Sequence, residues 1–274
     1  EKKAMTDIVL SEGGMTPEQL MTRMGAKQDA PQGMLELKVN SQSDDDEGKP
    51  LPRGSFYLKG DSPVHYAEKV QFRPLTQHYM YTHYSPEEEK VINRTIQMTS
   101  FREEPRDMKG TLRCGKPSGA GFRDLPDEEK AKYEHITAFR VVRGLVSFTG
   151  KDLDGNEKTY KNEPCVLRLK GSNFMPFSEQ VENKMPKSAN LLDHNLNLTT
   201  KRNKNGSVVW FTFEYEIDLK KKLPFTQEVY DTLVVLDHEV TAYNVKVDKA
   251  YYEALAKDTL DNNVMNTLEF QEAS

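Results

Sequence analysis

The chain has 274 residues, of which 36% are hydrophobic and 30% charged, so it can bury a substantial core but is polar for a globular protein. No apolar run approaches the roughly 18 residues needed to cross a bilayer, and the first residues lack the hydrophobic segment of a signal peptide. We therefore expect a soluble cytoplasmic protein. Cys114 and Cys165 belong to no CxxC pair, so neither a zinc ribbon nor a disulfide framework is indicated.

Charge divides the chain into three parts. Residues 1–49 carry 6 basic and 10 acidic side chains (net −4), residues 50–222 carry 29 and 23 (net +6), and residues 223–274 carry 3 and 10 (net −7). A mildly basic body between acidic ends suits a polyanion binder whose ends limit non-specific binding, although a charge of +6 also fits an ordinary solvated surface. We predict an N-terminal extension at 1–50, a β-rich body at 51–222, and C-terminal helices with an acidic tail at 223–274.

The N-terminal extension contains one short helix signal and one acidic segment. Thr16 is suited to cap a helix, with Pro17 at its first position and Gln19 completing a capping box. The acidic run SQSDDDEGKP at 41–50 has the composition of a linker or mobile loop.

The body is rich in strand signals. Short runs of β-branched and aromatic residues alternate with turn residues from about Ser55 onward, in GSFYLKG, HYAEKVQFRP, QHYMYTHY and KVINRTIQMTSF. Pro74 is expected to divide one of these strands in two. Further on, HITAFRVVRGLVSF reads as one long strand with a bulge or bend at Gly144, and EPCVLRLKG as its partner across an Asp-Gly turn. The pattern predicts an antiparallel, OB-like β-barrel with long hairpins and short helices.

The glycine-rich segment at 110–121 superficially resembles a phosphate-binding loop. Lys116 is followed by Pro117 instead of Ser or Thr, and no strand runs directly into a helix there. A flexible connector, followed by a short helix after Pro126, fits better.

Helical periodicity begins after Pro224. Thr226 is placed as an N-cap, and apolar residues recur every three or four positions at Val229, Leu233, Leu236, Val240 and Tyr243. The segment DKAYYEALAKD predicts a second amphipathic helix.

No catalytic, metal or cofactor site is predicted. His78 and His83 are an odd number of residues apart, so on one regular strand they face opposite sides and do not readily share a metal. The carboxylate runs at 87–89 and 127–129 suit helix starts, where the helix dipole favours negative charge.

A binding function has more support, beginning with the hairpin around Asn205-Gly206. Odd positions from Val209 to Ile217 form a continuous apolar face, which places Trp210, the one tryptophan, on the opposite face. The basic residues Lys201, Arg202 and Lys204 lie near the tip of the same hairpin. Bases stack on exposed rings and phosphates contact cations, so this arrangement suits single-stranded nucleic acid. The alternative is that the C-terminal helices cover Trp210.

Other candidate nucleic-acid contacts are strand residues with basic or aromatic side chains, together with one aromatic residue of the following loop: Arg143, Arg168, Lys170, Tyr79, Tyr81 and Phe174. For the basic residues the alternative is an ordinary solvated strand face. Tyr79 and Tyr81 share one face of their strand, and either stack bases or build the core beneath Trp210.

The organisation resembles the OB-fold single-stranded DNA-binding proteins of bacteriophage replication systems. The resemblance lies between Tyr57 and Leu219 and is carried by QFRPLTQHYMYTHY, RVVRGLVSFTG, LRLKGSNFMPF and LTTKRNKNGSVVWFTF, without a diagnostic motif. It implies a non-enzymatic viral protein of the host cytoplasm that coats single-stranded DNA during replication or recombination. It also implies recruitment of replication or recombination proteins by the acidic tail, and a homo-oligomer is compatible with it. The tail here ends LEFQEAS, with modest acidity and no terminal aromatic residue.

A second hypothesis is a structural or assembly protein of a virus or large complex, whose acidic ends become ordered against neighbouring subunits. An enzyme acting on nucleic acid is the third.

Overall fold

The computed structural model describes residues 34–110 and 119–272, with side chains for 34–110 and 121–257. The strands are β1 (Leu35–Val39), β2 (Phe56–Lys59), β3 (Val70–Ser85), β4 (Lys90–Arg94), β5 (Ile136–Lys151), β6 (Glu157–Leu169), β7 (Leu196–Asn205) and β8 (Val208–Ile217). The α-helices are α1 (Gly119–Arg123), α2 (Asp127–Ala131), α3 (Phe174–Gln180) and α4 (Gln227–Glu272). The predicted helix capped by Thr16 and most of the glycine-rich segment lie outside the described residues.

The protein is mixed α/β, with 40% strand and 26% helix, and the predicted C-terminal helix is present. Within the described residues, no helix combines the length and apolar character needed to cross a membrane. β1 lies inside the sheet although it precedes residue 50. The acidic segment after β1 forms a turn, in which Asp45 Oδ1 accepts hydrogen bonds from the N–H groups of Glu47 and Lys49. The boundary at residue 50 stays a prediction.

The strands form one eight-stranded sheet that does not close into a barrel, so the predicted barrel is wrong. Its order is β2-β1-β6-β5-β3-β7-β8, with β4 pairing with β3 beside that path. All pairs are antiparallel except β1 with β6, which is parallel. The sequence pattern indicated strands correctly but contained no information about closure.

The two ends of the sheet meet through side chains instead of a backbone ladder. The rings of Phe56 in β2 and Phe213 in β8 stack with centroids 5.7 Å apart. The free edge of β8 is occupied: Asn173 Oδ1 accepts the Phe213 N–H at 2.7 Å, and Gln180 Oε1 accepts the Tyr215 N–H at 2.7 Å. Because side chains beside and within α3 take these donors, they are not available to a strand that would complete a barrel.

β3 is one continuous strand with a bulge, so Pro74 does not divide it. Pro74 pairs with Gly144 and Thr76 pairs with Arg143, which leaves Leu75 as the extra residue. The bulge expected at Gly144 therefore lies on the partner strand. Gly144 is required opposite it, because a Cβ there would come within 2.2 Å of the Arg73 carbonyl oxygen.

The sheet has two different faces. The inner face holds the main core, which includes Phe72, Val142, Leu167 and Phe177. The outer face, formed in β3 by Thr76, His78, Met80 and Thr82, lies toward α4. Two hydrophobic clusters attach α4 to the sheet and to the segment 95–98. The buried residues of the first cluster are Leu75, Leu145, Val229 and Leu236. Those of the second are Tyr81, Ile96, Met98, Ile136 and Val247.

α4 is one helix of 46 residues where two were predicted. Thr226 caps it as expected, since Thr226 Oγ1 accepts the Val229 N–H at 3.3 Å. The sequence after Thr226 contains no proline or glycine, so nothing interrupts the helix. Asn244 fixes α4 to the segment 95–98: its Oδ1 accepts the Gln97 N–H and its Nδ2 donates to the Gln97 C=O.

Candidate nucleic-acid interface

The β7–β8 hairpin extends beyond the rest of the sheet. β7 pairs with β3 only from Leu196 to Leu198, whereas its pairing with β8 continues to Asn205. The predicted tip is confirmed: Gly206 and Ser207 form a two-residue turn, with Gly206 at φ 58°. The outer part of the hairpin is thus a two-stranded ribbon. Its basic side chains are exposed, while Val209, Trp210 and Phe211 are partly buried.

The register separates the predicted hairpin residues onto two faces. Trp210 pairs with Asn203 and Thr212 with Lys201, so these four side chains share a face. Arg202 pairs with Phe211 and Lys204 with Val209, which places both cations on the other face. Trp210 is half-buried, and the core clusters of α4 include no residue of the hairpin.

The charged side chains of the hairpin change sign between its tip and its base. Lys201, Arg202 and Lys204 are exposed, and none of them forms a salt bridge with another described residue. Toward the base of the ribbon, Glu214 and Glu216 line an open groove of about 720 Å³, together with Lys69 and Lys184 from outside the hairpin. The tip therefore carries only cations, whereas carboxylates and lysines are balanced at the base.

Tyr79, Tyr81 and Phe174 come together in one aromatic cluster on the inner face. Phe101, which the sequence analysis did not single out, connects them: its ring centroid lies 4.4 Å from that of Tyr79, 5.4 Å from Tyr81 and 5.9 Å from Phe174. Tyr81 is only 8% exposed, whereas Phe101 is 40% exposed. Tyr81 therefore belongs to the core, and Phe101 carries the accessible ring surface.

Arg140 lies beneath this cluster in a polar network. Its guanidinium carbon is 5.1 Å from the ring centroid of Phe174, and its Nη1 forms a salt bridge with Glu182 at 2.8 Å. Glu182 also accepts hydrogen bonds from Ser178 and Gln77. Burial raises the pKa of Glu182, but these hydrogen bonds and the charge of Arg140 outweigh it and leave the pKa below its ordinary value.

Arg143, Arg168 and Lys170 lie on the outer face, away from both the hairpin and the aromatic cluster. Arg143 is 8% exposed and its Nη1 has no hydrogen-bond partner among the described residues. Arg168 is half-exposed and its Nη1 lies 3.5 Å from Glu36 Oε2, while Lys170 Nζ lies 5.6 Å from the ring centroid of Phe139. Burial, and then the charge of Arg143, lowers the pKa of His78 on the same face.

Among residues with described side chains, no group of three or more His, Cys, Asp or Glu is arranged to hold a metal ion. His78 and His83 face opposite sides of β3, as their spacing predicted.

Sequence reasoning missed Phe101 and Glu182 because their partners are distant along the chain. The signal available in the sequence was Arg140, a charged residue that interrupts an otherwise apolar strand.

Comparisons with known proteins give no match: no family model, no curated protein and no solved structure matches this chain.

Proposed function

We propose that the protein binds single-stranded DNA without strong sequence preference, through the outer half of the β7–β8 hairpin. The observation that carries the proposal is the position of Trp210 beside Lys201 on one face of a ribbon whose cations have no carboxylate partners among the described residues. A base stacks on the indole, and the adjoining phosphates contact Lys201 and the flanking Arg202 and Lys204.

The two glutamates at the base of the ribbon limit where a strand would bind. Glu214 and Glu216 repel phosphates, so the DNA would cross the ribbon near its tip instead of following it toward α3. Exchange of both glutamates for glutamine is expected to tighten binding at low salt, and a weaker complex would contradict this placement.

Trp210 provides an internal probe because it is the one tryptophan in the chain. Addition of oligo-dT at low salt should change its fluorescence. Trp210→Ala should weaken binding by about 1–3 kcal/mol, whereas Trp210→Phe, which retains a ring, should weaken it less. Unchanged fluorescence together with an absent electrophoretic shift would contradict the proposal.

The cations are tested by the salt dependence of binding. Replacing Lys201, Arg202 and Lys204 with glutamine should reduce the slope of log K against log salt by about 0.7 for each phosphate that these side chains no longer neutralise. The matched control replaces three exposed lysines elsewhere, Lys132, Lys161 and Lys187, and should leave the slope unchanged.

The assembly-protein hypothesis makes a different prediction for the same preparation. It requires self-association that does not depend on nucleic acid. Size-exclusion chromatography with and without an oligonucleotide separates the two: a complex that forms only with the oligonucleotide supports DNA binding, and an unchanged oligomer that excludes the oligonucleotide supports assembly.

A further inference from the structure

A cavity of about 480 Å³ lies on the outer face of the sheet beside α4. Its wall includes Arg143 from β5, Arg168 from β6 and Arg94 from β4, with Glu239 and Tyr243 from α4. This volume falls within the range of small-molecule sites. None of the hairpin residues contributes to it, so the cavity is separate from the proposed DNA site.

The cavity contains a buried cation that the described residues do not neutralise. Arg143 is 8% exposed, forms no salt bridge with the described residues, and has an unpartnered Nη1. Burial lowers the pKa of Arg143, and the negative charge of Glu239 partly opposes this effect without forming an ion pair with the guanidinium. A buried guanidinium without a carboxylate is unfavourable, which is why buried charges are normally paired.

Other polar atoms near the same guanidinium have no hydrogen-bond partner among the described residues. Thr76 pairs with Arg143 across the strands, and its Oγ1 is one of them; Nδ1 of His78, two residues along the same face, is another. Gln97 Oε1, in the cavity wall, is a third. Arg143 and Gln97 thus place an unpartnered donor and an unpartnered acceptor in the cavity wall, while Thr76 and His78 lie beside it. Unpartnered polar atoms in a cavity wall favour a polar ligand.

The lining defines the chemical class of that ligand. The wall contains three arginines and one glutamate, and the Arg168 Nη1 also lies 3.5 Å from Glu36 Oε2 outside the wall. This excess of cations favours an anion, and the planar, multidentate guanidinium suits phosphate. The rest of the wall contains the rings of Phe139 and Tyr243 and several apolar side chains, which suit a planar or apolar body. The volume is larger than a phosphate ion alone requires.

From this geometry we infer that the cavity binds a small phosphate monoester of the size of a nucleoside monophosphate, with its phosphate at Arg143 and Arg168. The inference does not depend on DNA binding by the hairpin.

Isothermal titration calorimetry of the full chain tests the inference with adenosine monophosphate, inorganic phosphate and adenosine as probes. Adenosine monophosphate should bind at one site, phosphate more weakly, and adenosine not at all. Arg143→Met should weaken adenosine monophosphate binding by roughly tenfold or more, because it removes a charge-assisted hydrogen bond. The control Arg123→Met changes an exposed arginine and should bind as the parent does.

Several results would overturn the inference. They are no binding of the monophosphate, equal binding of adenosine, equal affinity for phosphate and the monophosphate, or unchanged affinity in Arg143→Met. Folding of that variant is checked by its thermal midpoint without ligand, which should be at least that of the parent. Saturating oligo-dT should not displace the monophosphate, and displacement would assign the cavity to the DNA site.

Discussion

Arg140 and Arg143 lie three residues apart on β5, face opposite sides of the sheet, and are about equally buried, at 3% and 8% exposure. Arg140 is surrounded by partners: Glu182, Ser178 and the rings of Tyr79, Phe174 and Phe177. Arg143 faces a cavity and forms no salt bridge with the described residues. Each guanidinium has one buried nitrogen without a hydrogen-bond partner among the described residues, Nε in Arg140 and Nη1 in Arg143. The charge of the inner arginine is thus paired within the fold, whereas that of the outer one is not.

This difference shows why burial alone does not identify a functional charge. A buried cation whose hydrogen bonds and ion pairs are made within the protein contributes to one defined packing arrangement. A buried cation that lacks them lowers stability until something else supplies the negative charge.

The largest effect is expected from removing the partner of the inner arginine. Glu182→Ala leaves Arg140 buried without its carboxylate and should lower the free energy of unfolding by about 2–4 kcal/mol, somewhat less than for a fully buried pair since the Glu182 side chain is 33% exposed. Urea unfolding measures the change. Glu179→Ala, at an exposed position of the same helix, is the control; equal effects of the two substitutions would remove the distinction between the arginines.

An opposite sign is expected at the outer arginine. Arg143→Met replaces an unneutralised charge with an apolar side chain of similar length, so the free energy of unfolding without ligand should be unchanged or rise by up to about 2 kcal/mol. Urea unfolding beside the Arg123→Met control reports this. A clear loss of stability would mean that Arg143 has a structural role like that of Arg140.

The smallest effect concerns pH. The folded pKa of His78 lies below its ordinary value of 6.5, because of burial and then the charge of Arg143, while Glu103 and Asp237 act in the opposite direction. The contribution of His78 to the free energy of unfolding should therefore be fully present above about pH 6.5. It should fall as the pH decreases toward the folded pKa, since only the unfolded chain gains the proton in that range. Arg143→Met should reduce this loss.

Unfolding at about pH 7.5 and about pH 5.5 measures that difference, since histidine titrates between them. His78→Gln should reduce it as well, whereas His238→Gln, at an exposed position on α4, should not. If the parent, Arg143→Met and His78→Gln all lost the same stability between the two pH values, the pH dependence would not come from His78 or from its contact with the charge of Arg143.

Local sequence signals predicted the local structure well. The β7–β8 turn, the Asp-Gly turn before β6 and the Thr226 cap depend on residues a few positions apart, so they were identified correctly. The open edge of β8, the single α4 and the Arg140–Glu182 pair depend on contacts between distant segments, which periodicity does not encode. The candidate residues were accordingly distributed over three places: the hairpin, the inner cluster and the outer face.

Leu75 makes β3 sensitive to its length as well as its composition. Before the bulge, even-numbered residues such as Phe72 lie on the inner face of the sheet; after it, odd-numbered residues such as Tyr79 do. Deleting this one residue would exchange the two sets of side chains from Thr76 onward, turning Gln77 and Tyr79 toward α4 and His78 and Met80 into the core. Substitutions along the strand change one contact at a time, but a single-codon deletion would reverse both surfaces at once.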